Sequence, residues 1–273
     1  MTPQDEYIPG YKPSHIQHHA SRTAENSAQY LLPHLVALAQ VRPELQLLDI
    51  GTGPGSISAS LANYIPRGNV VATDVSEEVL QQAKEHASQV GCHNIRFQTA
   101  DAYELPFADD RFDVIHVSQV LNHLQDPVKA LKEMVRVCSP GGLVAVREAD
   151  MRTWSSYPDL PPLRDFFELM SSLMPRNNTG LSLISYAHQA GVDRSDINFS
   201  TSTYCHSTRS QRQVFGGACK ERVRAGEMRK RALEKGIRTS EELDAMVNAW
   251  EQWIETEDAC NACINGEIIL TIT

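Results

Sequence analysis

The residues with the clearest chemical meaning are an acid and three glycines in the stretch 47–55, which reads Leu-Leu-Asp-Ile-Gly-Thr-Gly-Pro-Gly. Glycine has no Cβ, so Gly51 and Gly53 can adopt positive φ and form the wall of a site that the main chain approaches closely. The stretch 56–62 is typical of a helix whose free N–H groups face the same place. We therefore predict a strand, a ligand-binding loop and a helix, although a glycine-rich turn without a ligand has the same composition.

A second acid, Asp74, ends the next β-branched run, 69–74, which leads into a helical stretch at 76–89. A carboxylate at the end of a strand, one βαβ unit after a glycine loop, can accept hydrogen bonds from both hydroxyls of a ribose. A nucleoside-containing cofactor is therefore expected. A dinucleotide is disfavoured, because Ser56 stands where its fingerprint requires a third glycine. Asp49 would also repel a pyrophosphate, whereas it suits an amino group and a sulfonium cation.

Composition limits the classes of fold and partner. A chain of 273 residues with 41% hydrophobic residues can bury one substantial core, which favours a single domain over 1–273. No apolar run reaches the roughly 18 residues needed to span a bilayer, and the N-terminus lacks an apolar signal region. We expect a soluble, cytoplasmic protein. The net charge of −9 argues against a nucleic-acid partner, and the basic stretch at 220–231 is interpreted as a solvated helix face.

The six cysteines are scattered through the chain without a disulfide-like framework. Cys260 and Cys263 have the spacing of a zinc knuckle, but no second pair completes four ligands. We therefore predict no metal site and interpret most of these residues as small buried thiols.

Apolar runs alternate with helical stretches from about residue 24 to 150, which predicts an α/β fold with a doubly wound parallel sheet. Right-handed crossovers then place the cofactor across the C-terminal ends of the strands. The pattern changes after Glu148. The later elements are predicted to be a loop at 154–162, helices at 163–174 and 182–190, a strand at 197–204, about fifty mostly helical residues and a closing strand at 267–272.

The order of these motifs resembles that of the class I S-adenosylmethionine-dependent methyltransferases. The first motif of that family is an acid followed by G-x-G-x-G, which Asp49 and the stretch 51–55 match. Asp74 matches the ribose-binding acid, and the pair at 101–102 matches the acid and small residue beside the adenine amino group. The resemblance implies S-adenosylmethionine as cofactor, bound by Arg22, Asp49, Gly51, Thr52, Gly53, Asp74, Val75, Asp101, Ala102 and Ser118.

The resemblance is closest to the ubiquinone/menaquinone-biosynthesis-like branch of small-molecule enzymes and spans most of the chain. It implies a Rossmann-like sheet of seven strands, the last of them antiparallel, with the late strands as sixth and seventh. It also implies a cofactor-binding core over about 24–150 and lid elements with the late strands over 151–265. Further matches lie at 18–27, 119–127, 146–150 and around 250–253.

Methyl transfer is an in-line displacement at an activated methyl group, so a catalytic base is optional. For a phenol, enol or thiol acceptor, a nearby histidine can take or orient the proton. The candidates are His18, His19, His116 and His123. We favour His19 and His123 as catalytic residues. His116 is equally explained as a core residue, and the alternative for His123 is that it only caps or packs against the following helix.

The expected acceptor is a small, hydrophobic metabolite of secondary metabolism, methylated on O, N, S or C. Arg147 and Trp154 are expected to contact it, although Arg147 and Glu148 also fit a structural ion pair. Arg22 is expected to reach the cofactor's carboxylate, with a surface salt bridge to Glu25 as the alternative. The remaining lid aromatics fit either an acceptor pocket or a lid core: Tyr157, Phe166, Phe167, Trp250 and Trp253.

Two other functions remain open from the sequence. A protein of this fold can bind S-adenosylmethionine without methyl transfer, as a cyclase, an isomerase or a regulatory partner. An NAD-dependent dehydrogenase is disfavoured by Ser56 and Asp49. The sequence also leaves open whether the chain is a monomer or a homodimer.

Overall fold

Strands and helices alternate along the first half of the chain in the computed structural model, which describes residues 21–273. This alternation confirms the predicted α/β fold. The elements are α1 (Ala24–Ser27), α2 (Leu32–Val41), β1 (Gln46–Ile50), α3 (Ser56–Ala62), β2 (Asn69–Asp74), α4 (Glu77–Gln89), β3 (Ile95–Thr99), β4 (Phe112–Ser118), α5 (Pro127–Val137) and β5 (Cys138–Ala149).

Local sequence explains where two of these helices begin. The Ser76 side chain accepts a hydrogen bond from the backbone N–H of Val79 and so caps α4. Asp126 caps α5 in the same way through the N–H of Lys129, and Pro127 occupies the first turn of the helix. Both helices therefore start directly after the loops that border the C-terminal edge of the sheet.

The second half of the chain holds two late strands, one short strand and a set of helices. The predicted helices at 163–174 and 182–190 both begin slightly earlier than expected. The elements are β6 (Ser155–Tyr157), α6 (Pro161–Leu173), α7 (Thr179–Gln189), β7 (Ile197–His206), α8 (Arg209–Gln211), a π-helical segment (Arg212–Gly216), α9 (Gly217–Arg224), α10 (Glu227–Glu234), α11 (Ser240–Glu255) and β8 (Cys260–Thr271).

The sheet has the strand order β3-β2-β1-β4-β5-β8, and β1 to β5 are parallel. Strand β8 runs antiparallel to β5 on one edge and to β7 on the other, which confirms the expected antiparallel end of the sheet. An eighth strand, β6, corrects the predicted loop at 154–162 and pairs with β8 beyond the end of β5. Its three residues are too few for a periodicity to show in the sequence.

Neighbouring residues on each strand point to opposite faces, so the sheet is covered on both sides. Leu48, Ile115 and Val146 pack into one hydrophobic cluster, together with residues of α5 and α7. Their sequence neighbours pack into a second cluster with residues of α1, α2 and α3. Residues of α6, α9, α10 and α11 form a third hydrophobic cluster beyond the C-terminal ends of the strands. We call these four helices, with the π-helical segment, the lid.

Within residues 21–273, none of the helices has both the length and the apolar character needed to cross a membrane.

Candidate active site

A cleft of about 150 Å³ lies beyond the C-terminal ends of β1, β2 and β4. In parallel sheets with this layout, ligands bind at this edge. The cleft is lined by nine of the ten residues that the sequence predicts to bind the cofactor. They are Arg22, Gly51, Thr52, Gly53, Asp74, Val75, Asp101, Ala102 and Ser118.

The three glycines of the loop have φ values of +70°, +56° and +79°, which side chains rarely adopt. A Cβ on Gly51 would collide with the Val120 side chain, and one on Gly55 would lie 2.8 Å from the Cβ of Ala83. A Cβ on Gly53 would meet no protein atom within 4 Å. Gly53 therefore leaves room at the cleft, and this open cradle fits the cofactor that the sequence predicts.

Asp74 joins the glycine loop to the start of α4. Its Oδ2 accepts a hydrogen bond from the Gly53 N–H at 3.1 Å, and its Oδ1 accepts one from the Ser76 N–H at 3.1 Å. Burial raises the pKa of Asp74 above its usual range. The carboxyl group also borders the cleft. The hydroxyls of a bound ribose would compete with these two N–H groups for its oxygens or share them.

Asp49 lies behind the loop rather than in the cleft, which corrects the expectation that its carboxylate contacts the cofactor. It is only 3% exposed, and its Oδ1 accepts a hydrogen bond from Nδ1 of His116 at 2.6 Å. Its Oδ2 accepts one from Ser58, whose hydroxyl also bonds that of Thr52. Asp49 and His116 therefore support the loop from within the core, and His116 lines neither cavity of the site.

A second cavity, of about 400 Å³, lies between the cleft and the lid. Its walls combine aromatic rings and methionines with polar and charged side chains. Trp154 stacks on Phe215 with ring centroids 5.3 Å apart, and Phe215 stacks on His206 at 4.0 Å. The apolar and aromatic lining consists of Met151, Trp154, Met170, Met174, Tyr204, His206, Phe215 and Met228.

The cleft and the larger cavity adjoin at three side chains that line both spaces: Arg22, Gln119 and His123. Gln119 has a φ of +62°, which is unusual for a residue other than glycine. Its backbone N–H donates to the carbonyl of Arg147, and its side-chain oxygen accepts from the N–H of Ala149. These bonds to β5 hold the strained residue in place, and backbone strain of this kind clusters at functional sites.

Glu148 holds the loop that follows Gln119, a role that no pattern in the sequence predicts. The side chain is fully buried. Its Oε1 accepts hydrogen bonds from the N–H groups of Val120 at 2.7 Å and Leu121 at 2.8 Å, and its Oε2 accepts one from Asn122 at 3.3 Å. Burial raises the pKa of Glu148 to about 7.

His123 lies where the cleft and the larger cavity meet. A catalytic residue would need this position. Burial, together with the nearby cations of Arg222 and Arg22, lowers the pKa of the His123 imidazole to about 4. The imidazole is therefore neutral at pH 7. The other favoured histidine, His19, lies outside the described residues, as does His18.

We expect an NMR titration of His123 to show a midpoint near pH 4, and Arg222→Gln to raise this midpoint because one cation is removed. Arg224 is an exposed residue of the same helix, so Arg224→Gln should leave the midpoint of His123 unchanged. Unfolded histidine titrates near 6.5, so this residue lowers protein stability as pH falls from 6.5 to 4. A midpoint near 6.5 in the wild-type protein would contradict the neutral imidazole.

Arg147 does not line the larger cavity, which corrects the expectation that it lies in a pocket at the end of β5. The side chain is 2% exposed, and its Nε donates to Glu267 and Ser202, at 3.2 Å in each case. The guanidinium lies 4.3 Å from the ring centroid of Tyr204, which does line the cavity. Arg147 forms a buried ion pair with Glu267 instead of the pair with Glu148 that the sequence offered as an alternative.

Trp154 lines the larger cavity, as predicted, whereas the five other aromatic residues that the sequence singled out do not. Phe166, Trp250 and Trp253 are fully buried in the lid cluster. Phe167 stacks behind Trp154 with centroids 5.1 Å apart, and Tyr157 is mostly exposed. Sequence reasoning did not single out Tyr204 and Phe215, because only the pairing of β7 with β8 and the π-helical segment bring them to this wall.

Arg22 approaches the site from the segment before α1. Its guanidinium lies 5.3 Å from the ring centroid of Tyr204 and borders both cavities. Glu25, the alternative partner, instead accepts hydrogen bonds from Ser60 at 3.0 Å and Tyr64 at 2.8 Å. These bonds tie α1 to α3 and so fix the segment that carries Arg22.

Comparison with known proteins agrees with this geometry. A family model described as a methyltransferase domain matches residues 42–179. An uncharacterized methyltransferase of Schizosaccharomyces pombe is 31% identical to this chain, and the alignment covers 98% of the chain and 97% of that protein. The ubiquinone/menaquinone biosynthesis C-methyltransferase UbiE of Vibrio parahaemolyticus is 36% identical over 138 residues, which cover 50% of this chain and 51% of UbiE.

Solved structures share the fold. The YcgJ protein of Bacillus subtilis superposes with a TM-score of 0.56 at 18% identity, covering 88% of this chain and 97% of that chain. A phosphoethanolamine N-methyltransferase of Haemonchus contortus, solved with S-adenosylhomocysteine, has a TM-score of 0.52 at 18% identity and covers 88% of this chain and 53% of that chain. The glycine loop, Asp74, the sheet order and these relatives together show that the chain belongs to the class I S-adenosylmethionine-dependent methyltransferases, with S-adenosylmethionine as its cofactor.

Proposed function

We propose that this methyltransferase acts on O, N, S or C of a small, flat and mostly apolar acceptor held in the larger cavity. The observation that supports this proposal is the junction of the two spaces at Arg22, Gln119 and His123. S-adenosylmethionine supplies a methyl group already activated by a sulfonium cation. The protein therefore has to position the reactants and exclude water.

On the cofactor side, we assign Asp74 to the ribose hydroxyls and the pair at 101–102 to the adenine end. Arg22 is assigned to the cofactor's carboxylate, because its guanidinium can form a bidentate pair at the cleft. Asp49 is assigned a positioning role, since it acts on the loop only through Ser58.

On the acceptor side, the cavity of about 400 Å³ lies within the roughly 300–1,000 Å³ that small-molecule sites occupy. The stacked rings of Trp154 and Phe215 border this cavity and give it an apolar, aromatic wall. His123 is neutral at pH 7, so its imidazole can orient or accept the proton of a phenol, enol or thiol.

The glycine loop offers a matched pair of variants that tests the cofactor site. Gly53 and Gly91 have φ values of +56° and +68°, and a Cβ on either would meet no protein atom within 4 Å. We expect each change to alanine to cost about 1 kcal/mol of stability through its backbone conformation. Only Gly53→Ala should weaken S-adenosylmethionine binding, by about tenfold or more, because its methyl group enters the cleft. Equal dissociation constants for the two variants, measured by calorimetry, would contradict this assignment.

The proposed reaction is tested by titrating the protein with S-adenosylmethionine and S-adenosylhomocysteine and then measuring methyl transfer to a panel of phenols, thiols and quinols. Release of S-adenosylhomocysteine that depends on one acceptor class supports the proposal. Cofactor binding without turnover on any acceptor would favour a protein that binds S-adenosylmethionine without transferring its methyl group.

Three expectations about cellular context stay predictions from the sequence: a cytoplasmic location, a role in secondary metabolism and a lack of nucleic-acid partners. The choice between a monomer and a homodimer is equally untested. Light scattering on the purified protein would decide the oligomeric state.

A further inference from the structure

The side chain of Arg222 differs from its neighbours in the basic stretch at 220–231. Most of these neighbours have acidic partners: Arg224 pairs with Glu221 at 2.9 Å, and Arg229 pairs with Asp244 at 2.8 Å. Arg222 is only 8% exposed, and in the described part of the chain it has no acidic partner. Its buried Nε lacks a hydrogen-bond partner among the same residues.

This buried cation belongs to the wall of the larger cavity. Burial of an unpaired charge is costly, so a guanidinium in this position needs a compensating anion. No aspartate or glutamate of the described residues lines the cavity, although the whole chain has a net charge of −9. The second cation of the wall, Arg22, also borders the cofactor cleft and is assigned to the cofactor's carboxylate. Among the described residues, Arg222 is then left without an anion.

We propose that Arg222 binds an anionic group of the acceptor, a carboxylate or a phosphate. The acceptor is then a flat, apolar molecule with one anionic substituent, and this inference rests on the proposed methyltransferase function. A planar guanidinium can form two parallel hydrogen bonds with either group, which fixes the orientation of the acceptor as well as its affinity.

The surroundings of Arg222 agree with such a ligand. Met228 and Phe215 border the same cavity, so the apolar body of the acceptor can lie beside its anionic end. Arg222 is close enough to His123 to lower the pKa of the imidazole. An anion bound to Arg222 would offset this charge and make His123 a stronger base in the occupied site.

Three probes with the same ring system test the inference on the full-length protein saturated with S-adenosylhomocysteine. They are 2-naphthoate, 2-naphthyl phosphate and the neutral 2-naphthamide, each titrated by calorimetry. We expect at least one anion to bind about tenfold or more tightly than the amide. Preference for the carboxylate or the phosphate then identifies which of the two anions the site accepts.

Two substitutions and one control isolate the contribution of Arg222. Arg222→Gln should weaken binding of the preferred anion by about 30-fold or more and leave the affinity for the amide nearly unchanged. Arg222→Lys keeps the charge and should retain part of the affinity. Arg224→Gln removes the same charge from the exposed side of the same helix and should change neither affinity.

The inference is overturned if neither anion binds more tightly than the amide in the wild-type protein, or if Arg222→Gln lowers the affinities for anion and amide equally. Binding of S-adenosylhomocysteine to each variant shows whether the fold and the cofactor site are intact. If the wild-type protein fails to bind S-adenosylhomocysteine, the proposed function itself fails, which is a separate result from loss of anion selectivity.

Discussion

Replacing Glu148 with alanine is expected to lower the free energy of unfolding by about 3 kcal/mol, since it leaves three buried backbone N–H groups without an acceptor. These are the N–H groups of Val120, Leu121 and Asn122. Val120 packs against Gly51 and borders the cofactor cleft, so cofactor binding should weaken as well. Chemical denaturation with and without S-adenosylhomocysteine measures both effects.

The variant Glu148→Gln separates the charge of the carboxyl group from its role as acceptor. Unfolded glutamate ionises near 4.5, whereas burial raises the pKa of folded Glu148 to about 7. The stability that the protonated group provides is therefore complete below pH 4.5 and is lost as pH rises to 7. Glutamine has no such dependence, so the stability advantage of the wild-type protein over this variant should shrink between pH 4.5 and 7. A constant difference over this range would contradict the raised pKa.

Replacing Asp74 with alanine is expected to weaken S-adenosylmethionine binding by about 1.5–3 kcal/mol, or roughly 10- to 150-fold. The variant loses the carboxylate assigned to the ribose hydroxyls and also the acceptor that holds the N–H of Gly53. Isothermal titration of the folded variant measures the change.

Two controls show whether this loss arises in the site. Asp109→Ala removes an acid whose side chain is 72% exposed and pairs with Arg136, so it should leave the cofactor's dissociation constant unchanged. Asp74→Asn retains one oxygen and should fall between the wild-type protein and Asp74→Ala. An unchanged dissociation constant for a folded Asp74→Ala variant would overturn the assignment of the ribose site.

The cofactor half of the site could be predicted from the sequence because its determinants are local. The positive φ of Gly51 and Gly53 requires glycine, and Asp74 sits at the end of a short apolar run. In a parallel sheet, successive strand ends meet at one edge, so residues far apart in the chain fall into one cleft. The exception is Asp49, which turns away because Ser58 and His116 offer hydrogen bonds within the core.

The arrangement of the larger cavity was decided by tertiary structure. The chain alone determined the α/β alternation and the glycine loop, since each depends on short spacings and backbone sterics, and the identity of the cofactor followed from the resemblance to the methyltransferase family. It could not show that Arg147 turns beneath Tyr204, that Glu148 caps the loop after Gln119, or that Arg222 is the buried member of a basic stretch. These outcomes depend on how β8 pairs with β5 and β7 and on how the lid helices pack, and such long-range contacts leave no local pattern in the sequence.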